Sequence, residues 1–501
     1  MSFMEVDFDL KKVIIAFFII IITLISTLTY LSYYKKDISF KETLENINYE
    51  NLNIPISKLN IRDFISELPD EELLTAEEHT MLFSSPQMIS PTAITKREAI
   101  SDVTLYFKAL KSSYAPYNYY GGDEKFLKAK ESVLNFIEND DITQVDELTQ
   151  CLKDNLSFIP DKHFYIGKYD FNLENTYRYY SNTALKILKN SVGYYLEYND
   201  VYYYIKSINE DKDIEKYLKL SINTDGNLVY NLGLLQKYDG QASSTITVVF
   251  YRGESEYTKN IELKLLNTLS DATDSSLEYT TIDDIPIISS RDIPYSISLD
   301  GIEFIKTASE IKESPVSIID LRGNHGGDIL TALNWINEYF GVSSDGKGLF
   351  LLLYRRSKAD PSYYDFNTFD KDLETLQLEK VDTYYYEHIP KPKEQLNKNS
   401  NTIFVLTDKE TSSAAEFFIE HLKDFENIVV VGTNTHGALE SSNIELGYLP
   451  NSHIEFAYGN WLRLYDDKFF KEGEGIKPDL WVDGKDALDL TLKLIRNYKL
   501  K

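Results

Sequence analysis

The chain has 501 residues, 43% hydrophobic and 26% charged, with a formal net charge of -27 and one cysteine. That length exceeds what a single hydrophobic core serves, so two or three domains are expected, and the composition is that of a folded protein. The acidic balance excludes nucleic acid as a partner, because phosphate binding needs clustered Lys and Arg; Cys151 alone builds neither an internal disulfide nor a thiolate metal site.

Residues 1–12 form a short N-terminal tail. Val13 to Tyr34 then run 22 residues without a charge, long enough to span about 30 Å of hydrocarbon as a helix. Lys11 and Lys12 precede the run, Lys35 and Lys36 follow it, and Tyr30, Tyr33 and Tyr34 suit an interfacial belt. No small-residue cleavage pattern follows, so residues 13–34 are expected to be a transmembrane signal anchor rather than a removed leader. The balanced flanking charges leave its orientation open.

Residues 35–60 are polar without sustained periodicity, which predicts a stalk. Residues 61–165 read as a helical module: Lys96 to Ser112, Phe126 to Ile137 and Ile142 to Leu156 each repeat apolar residues at helical spacing. Residues 166–275 change to short β-type runs, Val201 to Ile208, Leu218 to Ile222 and Thr245 to Tyr251, parted by turn signals such as Asp225-Gly226 and Arg252-Gly253. From 280 to 501 strands and helices alternate (Val316 to Leu321, Thr402 to Leu406 and Ile428 to Val431 being the strands), which implies a mostly parallel α/β sheet. Within that part, residues 344–400 are charged, Tyr-rich and ill-patterned, and read as an insertion. The whole is a multidomain α+β chain.

Three segments carry chemistry. Asp320-Leu321-Arg322-Gly323-Asn324-His325-Gly326-Gly327-Asp328 is a strand end running into a glycine-rich loop. It lacks the spacing and lysine of a phosphate loop, and glycines there let backbone N–H groups approach a ligand. Thr411-Ser412-Ser413-Ala414-Ala415-Glu416 lies between a strand and a helix. Ser413-x-x-Glu416 spells a capping box, and the same geometry exposes a serine hydroxyl where helix N–H groups stabilise a developing oxyanion. The third, Glu472-Gly473-Glu474-Gly475-Ile476-Lys477-Pro478-Asp479, reads on its own as an acidic surface loop. No cofactor or metal is called for.

In combination and in this order, with Val431-Gly432-Thr433-Asn434-Thr435-His436-Gly437 between the last two, these motifs resemble the catalytic domain of the tail-specific (C-terminal processing) and tricorn-core serine peptidases, over roughly residues 285 to 485. The resemblance implies an α/β catalytic domain of the ClpP/crotonase-like type, Ser413 as nucleophile, and an oxyanion hole from the Ala414 amide with one from Gly326 or Gly327. More faintly, residues 61–165 resemble the family's helical module and 166–275 a degenerate PDZ-like domain. The tail-specific branch places a lysine directly after the T-x-G turn; here Ala438 follows Thr435-His436-Gly437, and no lysine occurs between Lys423 and Lys468. The chain therefore sits closer to the tricorn and retinoid-binding-protein-like branch, which implies a histidine base and a carboxylate. Asp161-Lys162-His163-Phe164 resembles that branch's D-x-H motif, although Lys162 departs from its usual small polar residue, and Glu472 matches its acidic position. His436 is the rival base. The function implied is a membrane-anchored, extracytoplasmic serine peptidase using Ser413, His163 and Glu472 on a peptide or protein substrate. The alternative is an inactive member that binds peptides or an apolar ligand. The oligomeric state stays open.

Overall fold

The computed structural model describes residues 38–53, 64–65, 68–85, 90–167, 176–266, 277–344, 346, 349–355, 379–381, 384–388 and 395–501. Val13 to Tyr34 lie outside these, and no described helix is long and apolar enough to cross a membrane.

Helix α1 (Phe40–Leu52) starts at Ser39, whose side chain accepts from the Glu42 N–H. It is no free stalk. Phe40, Thr43, Ile47 and Asn51 form one buried helical face, and Phe40 packs on the rings of Phe404 and Tyr498. Only two of those four residues are apolar, so hydrophobic periodicity could not show the helix.

The helical part comprises α2 (Ala76–Phe83), α3 (Lys96–Ser113), α4 (Gly122–Ile137) and α5 (Val145–Leu156). Two short paired strands, β1 (Ala93–Thr95) and β2 (Ile142–Gln144), lead into α3 and α5. Thr95 and Glu98 close a capping box at the start of α3. The core of these helices (Val103, Tyr106, Leu110, Tyr114, Phe126, Leu148) also takes in Leu449, Ile454, Phe456 and Tyr458 from the C-terminal part. Burying such side chains is worth roughly 1.5–3 kcal/mol each relative to exposure, so the helices are bonded to the catalytic part by a shared core. Strand β3 (Tyr165–Ile166) adds a direct backbone pairing with Phe456 and Ala457.

Strands β4 (Tyr177–Lys189), β5 (Tyr194–Tyr198), β6 (Val201–Ile208), β7 (Leu218–Ile222), β8 (Leu228–Lys237), β9 (Ser243–Arg252) and β10 (Ser255–Leu265) form one antiparallel sheet. β10 pairs with both β9 and β4, which closes β4-β5-β6-β9-β10 into a ring, while β8 and β7 extend it from β4. Its described residues hold one 3-10 turn, Ile214–Tyr217, and no α-helix, so likeness to a PDZ domain rests on the strands alone.

The C-terminal part contains a six-stranded sheet in the order β11 (Leu277–Ile282), β12 (Ile285–Ser290), β13 (Val316–Asp320), β17 (Thr402–Thr407), β18 (Ile428–Gly432) and β21 (Leu480–Trp481), parallel from β12 onward. Strands β13 and β18 are buried along their whole length, as parallel strands covered on both faces must be. Helices α6 (Leu299–Ile311), α7 (Ile329–Phe340) and α8 (Ala414–Leu422) share the core on one face. On the other, α1 and α9 (Ala487–Tyr498) cover Ile318, Phe404 and Val429. A second sheet runs β15 (Glu379–Val381), β16 (Tyr384–His388), β14 (Leu349–Arg355), β20 (Glu455–Tyr465) and β19 (Ser441–Tyr448). Strands β14, β15 and β16 come from the stretch read as an insertion. That stretch therefore contributes half a sheet, β14 pairing with β20.

Candidate active site

Strands β13, β17 and β18 are neighbours in a parallel sheet, so the loops at their C-terminal ends emerge side by side, where open α/β sheets bind ligands. The three loops are 321–328, 408–413 and 433–438. Sequence motifs nearly ninety residues apart meet for that reason. The Ser412 N–H donates to the Asn324 carbonyl at 2.9 Å, and the His436 N–H to the Thr411 carbonyl at 2.8 Å.

Ser413 is the N-cap of α8 and holds φ 54°, ψ -118°, a conformation a non-glycine residue keeps only where its surroundings impose it. Glu416 imposes it. Fully buried, its carboxylate accepts from the Ser413 N–H at 3.0 Å, Ala438 N–H and Gly437 N–H at 2.8 Å, and the Thr435 hydroxyl at 2.5 Å. One side chain thus ties the Ser413 backbone to the turn after β18. Burial raises the Glu416 pKa, and the Thr435 hydroxyl and two amides oppose that rise. The capping pattern was visible in the sequence; that its Glu would serve a second loop was not.

His163 Nε2 lies 3.2 Å from Ser413 Oγ, and both residues are partly exposed, within reach of a substrate. Its Nδ1 lies 2.7 Å from the carbonyl oxygen of Ser441, the first residue of β19. A carbonyl only accepts, so Nδ1 carries the proton and Nε2 keeps a lone pair toward the serine. The ring is held by the helical part, whose D-K-H-F turn leads into β3 and is pinned to β20.

Glu472 is near, but it does not meet the ring. Its Oε1 accepts from the Lys162 N–H at 2.9 Å, and its Oε2 from the amides of Glu440 at 3.1 Å and Leu439 at 3.3 Å. It staples the His163 loop to the loop after β18. The carboxylate bonded to His163 is Asp161, and it meets the backbone rather than the ring: its Oδ1 accepts from the His163 backbone N–H at 2.8 Å and its Oδ2 from the Tyr114 hydroxyl at 2.8 Å. Asp161, Glu440 and Glu472 are all buried, and burial pushes all three pKa values up, Glu440 to about 7. For Asp161 the opposing influence that ranks first is the charge of His163. For Glu472 the neighbouring Glu440 and Asp161 raise it further.

The rival base has other contacts. His436 is buried, its Nδ1 faces the Lys409 carbonyl at 3.3 Å, and burial, aided by the charges of Lys409 and Lys162, pushes its pKa down to about 2. Lys409 comes from the end of β17, a residue the sequence reading passed over. Its buried ammonium donates to the carbonyls of His436 at 2.7 Å, Thr435 at 2.9 Å and Gly473 at 3.3 Å. With all three protons used it holds the turn in place. The position of a dyad lysine is occupied by the buried Ala438.

Of the three amides expected around an oxyanion, Gly326 is already committed, its N–H donating to Asn324 Oδ1 at 2.9 Å. It serves instead by having no side chain: a Cβ there would lie 2.8 Å from Ser413 Cβ and 2.9 Å from the Ala414 nitrogen. The amides of Gly327 and Ala414 donate to no protein acceptor among the described residues; Ala414 follows the serine directly, and Gly327 follows Gly326, which packs against Ser413.

Residues 300–482 match the family model Peptidase family S41. This segment belongs to that family. The chain thus carries a serine-type peptidase domain, and the S41 segment contains Ser413, Gly326, Gly327, Ala414 and Glu472, while His163 comes from outside it. No curated protein matches the chain. Among solved structures, mature CPAF is similar at 13% identity, covering 81% of this chain and 96% of that one, with a TM-score of 0.42. The photosystem II D1 C-terminal processing protease is similar at 12% identity, over 77% of this chain and 93% of that one, with a TM-score of 0.35. The tricorn protease is similar at 13% identity, over 81% of this chain and 37% of that one, with a TM-score of 0.33.

Proposed function

We propose that the chain hydrolyses peptide bonds of peptides or exposed protein segments through Ser413 and His163, outside the cytoplasm and beside the membrane that residues 13–34 enter. The observation that carries this reading is the pair of His163 contacts, Nε2 to Ser413 Oγ at 3.2 Å and Nδ1 to the Ser441 carbonyl at 2.7 Å. The neutral imidazole takes the Ser413 proton as Oγ attacks the scissile carbonyl; the oxyanion forms toward the Ala414 and Gly327 amides. The imidazolium then returns its proton to the leaving amine, and water repeats the sequence to release the acyl group. Asp161 stabilises the imidazolium through the turn it shares with the ring, and Glu472 holds that turn against the S41 loops, completing a Ser-His-Glu unit by position rather than by direct contact. The membrane location is supported by the uncharged 22-residue run and its Lys and Tyr flanks.

The test is hydrolysis of unstructured peptides, and labelling by an active-site serine probe, with the detergent-solubilised full chain. Ser413→Ala and His163→Ala should each cut kcat by several orders of magnitude, since such residues act as a unit. Full turnover by His163→Ala together with a large loss in His436→Ala would reverse the choice of base. Peptide binding without turnover by the parent would leave the inactive binder as the better reading.

A further inference from the structure

The three most exposed large apolar side chains among the described residues, Ile297 at 94%, Leu299 at 82% and Tyr295 at 74%, fall within one five-residue run. Leu330 and Ile302, at 57% and 53%, extend the group, since α6 and α7 start side by side and share a core. Single exposed apolar residues are ordinary; a contiguous set is not.

This run is tied to the oxyanion loop. The Ile293 N–H donates to the Gly326 carbonyl at 2.8 Å, and the Asp328 N–H to the Ile293 carbonyl at 2.9 Å. Asp328 Oδ2 accepts from the Ser296 N–H at 2.8 Å, and the Thr331 hydroxyl donates to the Pro294 carbonyl at 2.6 Å. The apolar side chains therefore stand on a braced loop, not a loose one. Tyr295 and Ile297 lie two and four residues along the chain from Ile293, which is bridged to Gly327, so at most about 7–14 Å of chain separates them from that bridge.

We propose that Tyr295, Ile297, Leu299 and Leu330 form the platform that selects the substrate: an extended peptide carrying large apolar side chains beside its scissile bond. This rests on the peptidase reading above. A peptide whose carbonyl sits between the Gly327 and Ala414 amides must run on past this loop, and its alternate side chains, about 7 Å apart when extended, fall onto the platform. Contact with the substrate covers the apolar surface that the free enzyme leaves in water.

The experiment uses the full chain in detergent with a peptide library varied at single positions around a cleavable bond, read by mass spectrometry. The parent should favour Leu, Ile, Phe or Tyr over Ser or Asp at one position beside the bond by at least about tenfold, the discrimination one apolar contact affords. In the double variant Ile297→Ser/Leu299→Ser, both sites being solvent-exposed, kcat/KM for the apolar peptides should fall about tenfold through KM, and the apolar-to-polar ratio should drop toward one. An unchanged ratio in that variant overturns the platform while leaving the peptidase reading standing. If the parent cleaves nothing, that reading falls. The platform is then judged by fluorescence anisotropy with Ser413→Ala: preference for apolar over polar peptides, lost on adding Ile297→Ser/Leu299→Ser, supports it, and equal binding refutes it. A parent that is dimeric, with the double variant monomeric and its preference unchanged, would assign the patch to a second copy of the chain and overturn the inference.

Discussion

Replacing Gly326 by Ala tests whether the site works by the close approach of two loops. Gly326 holds φ +93°, and an added Cβ would sit 2.8 Å from Ser413 Cβ and 2.9 Å from both the Ala414 nitrogen and the Ser412 oxygen. Carbon atoms prefer about 3.5–4.0 Å, so the loops must part by nearly 1 Å. Displacement of that size at a reacting centre costs on the order of a hundredfold in rate. The forced φ costs about 1–3 kcal/mol and the overpacking about 1–3 kcal/mol more in stability. Gly323→Ala separates the two effects: its φ is +68°, yet its Cβ would meet only Arg291 Cδ at 3.7 Å. That variant should lose stability from strain and keep kcat within about threefold, well short of the hundredfold expected for displacement. Steady-state hydrolysis and urea unfolding of both variants decide the matter. Gly326→Ala turning over within threefold of the parent would refute the loop-contact argument.

Asp161→Asn should weaken support for the imidazolium, so the acidic limb of the kcat/KM profile should move to lower pH; a fall in activity with the limb fixed would leave Asp161 a purely structural role. Glu440 links to stability with a definite sign. Its folded pKa, raised by burial to about 7 from 4.5, means its contribution is complete below pH 4.5 and lost as pH rises through 7, a difference of 2.5 units or about 3 kcal/mol. Urea unfolding should therefore show the parent more stable at pH 5 than at pH 8, and Glu440→Gln should flatten that slope. An unchanged slope would place the titration elsewhere, the candidates being Glu472, Asp161 and Glu420, all raised by burial.

The strands Val201–Ile208 and Leu218–Ile222 end where their β-branched and aromatic runs end, and the long helices of residues 96–156 follow their apolar repeats closely. Chemistry-bearing loops were legible because a parallel strand of solid Val and Ile announces its own C-terminal end. What escaped was set by three-dimensional neighbours. Helix α1 hides behind Thr43 and Asn51 in its buried face. Strands β15 and β16 lie in a charged, Tyr-rich stretch; β14 is an apolar run, Leu349 to Tyr354, read together with that stretch, and its place in the sheet comes from pairing with β20. Glu472 was found by motif, yet its three backbone partners come from Lys162, Leu439 and Glu440, loops no local pattern connects. Gly326 and Gly327 look alike in sequence; only the Asn324 side chain tells which amide is spent.

His163 and Ser413 stand 250 residues apart, on parts of the chain that join through the shared core around Tyr114 and Phe456 and through the β3–β20 pairing. At ordinary rates of synthesis, His163 leaves the ribosome about 12 to 50 seconds before Ser413. Throughout that interval the growing chain holds the imidazole without the hydroxyl it faces in the folded protein. Even once the serine arrives, the pair is not positioned until β19 supplies the Ser441 carbonyl and β20 receives β3. On the function proposed above, activity is a late property of folding, and a half-made or locally opened chain is a poor threat to itself and its neighbours.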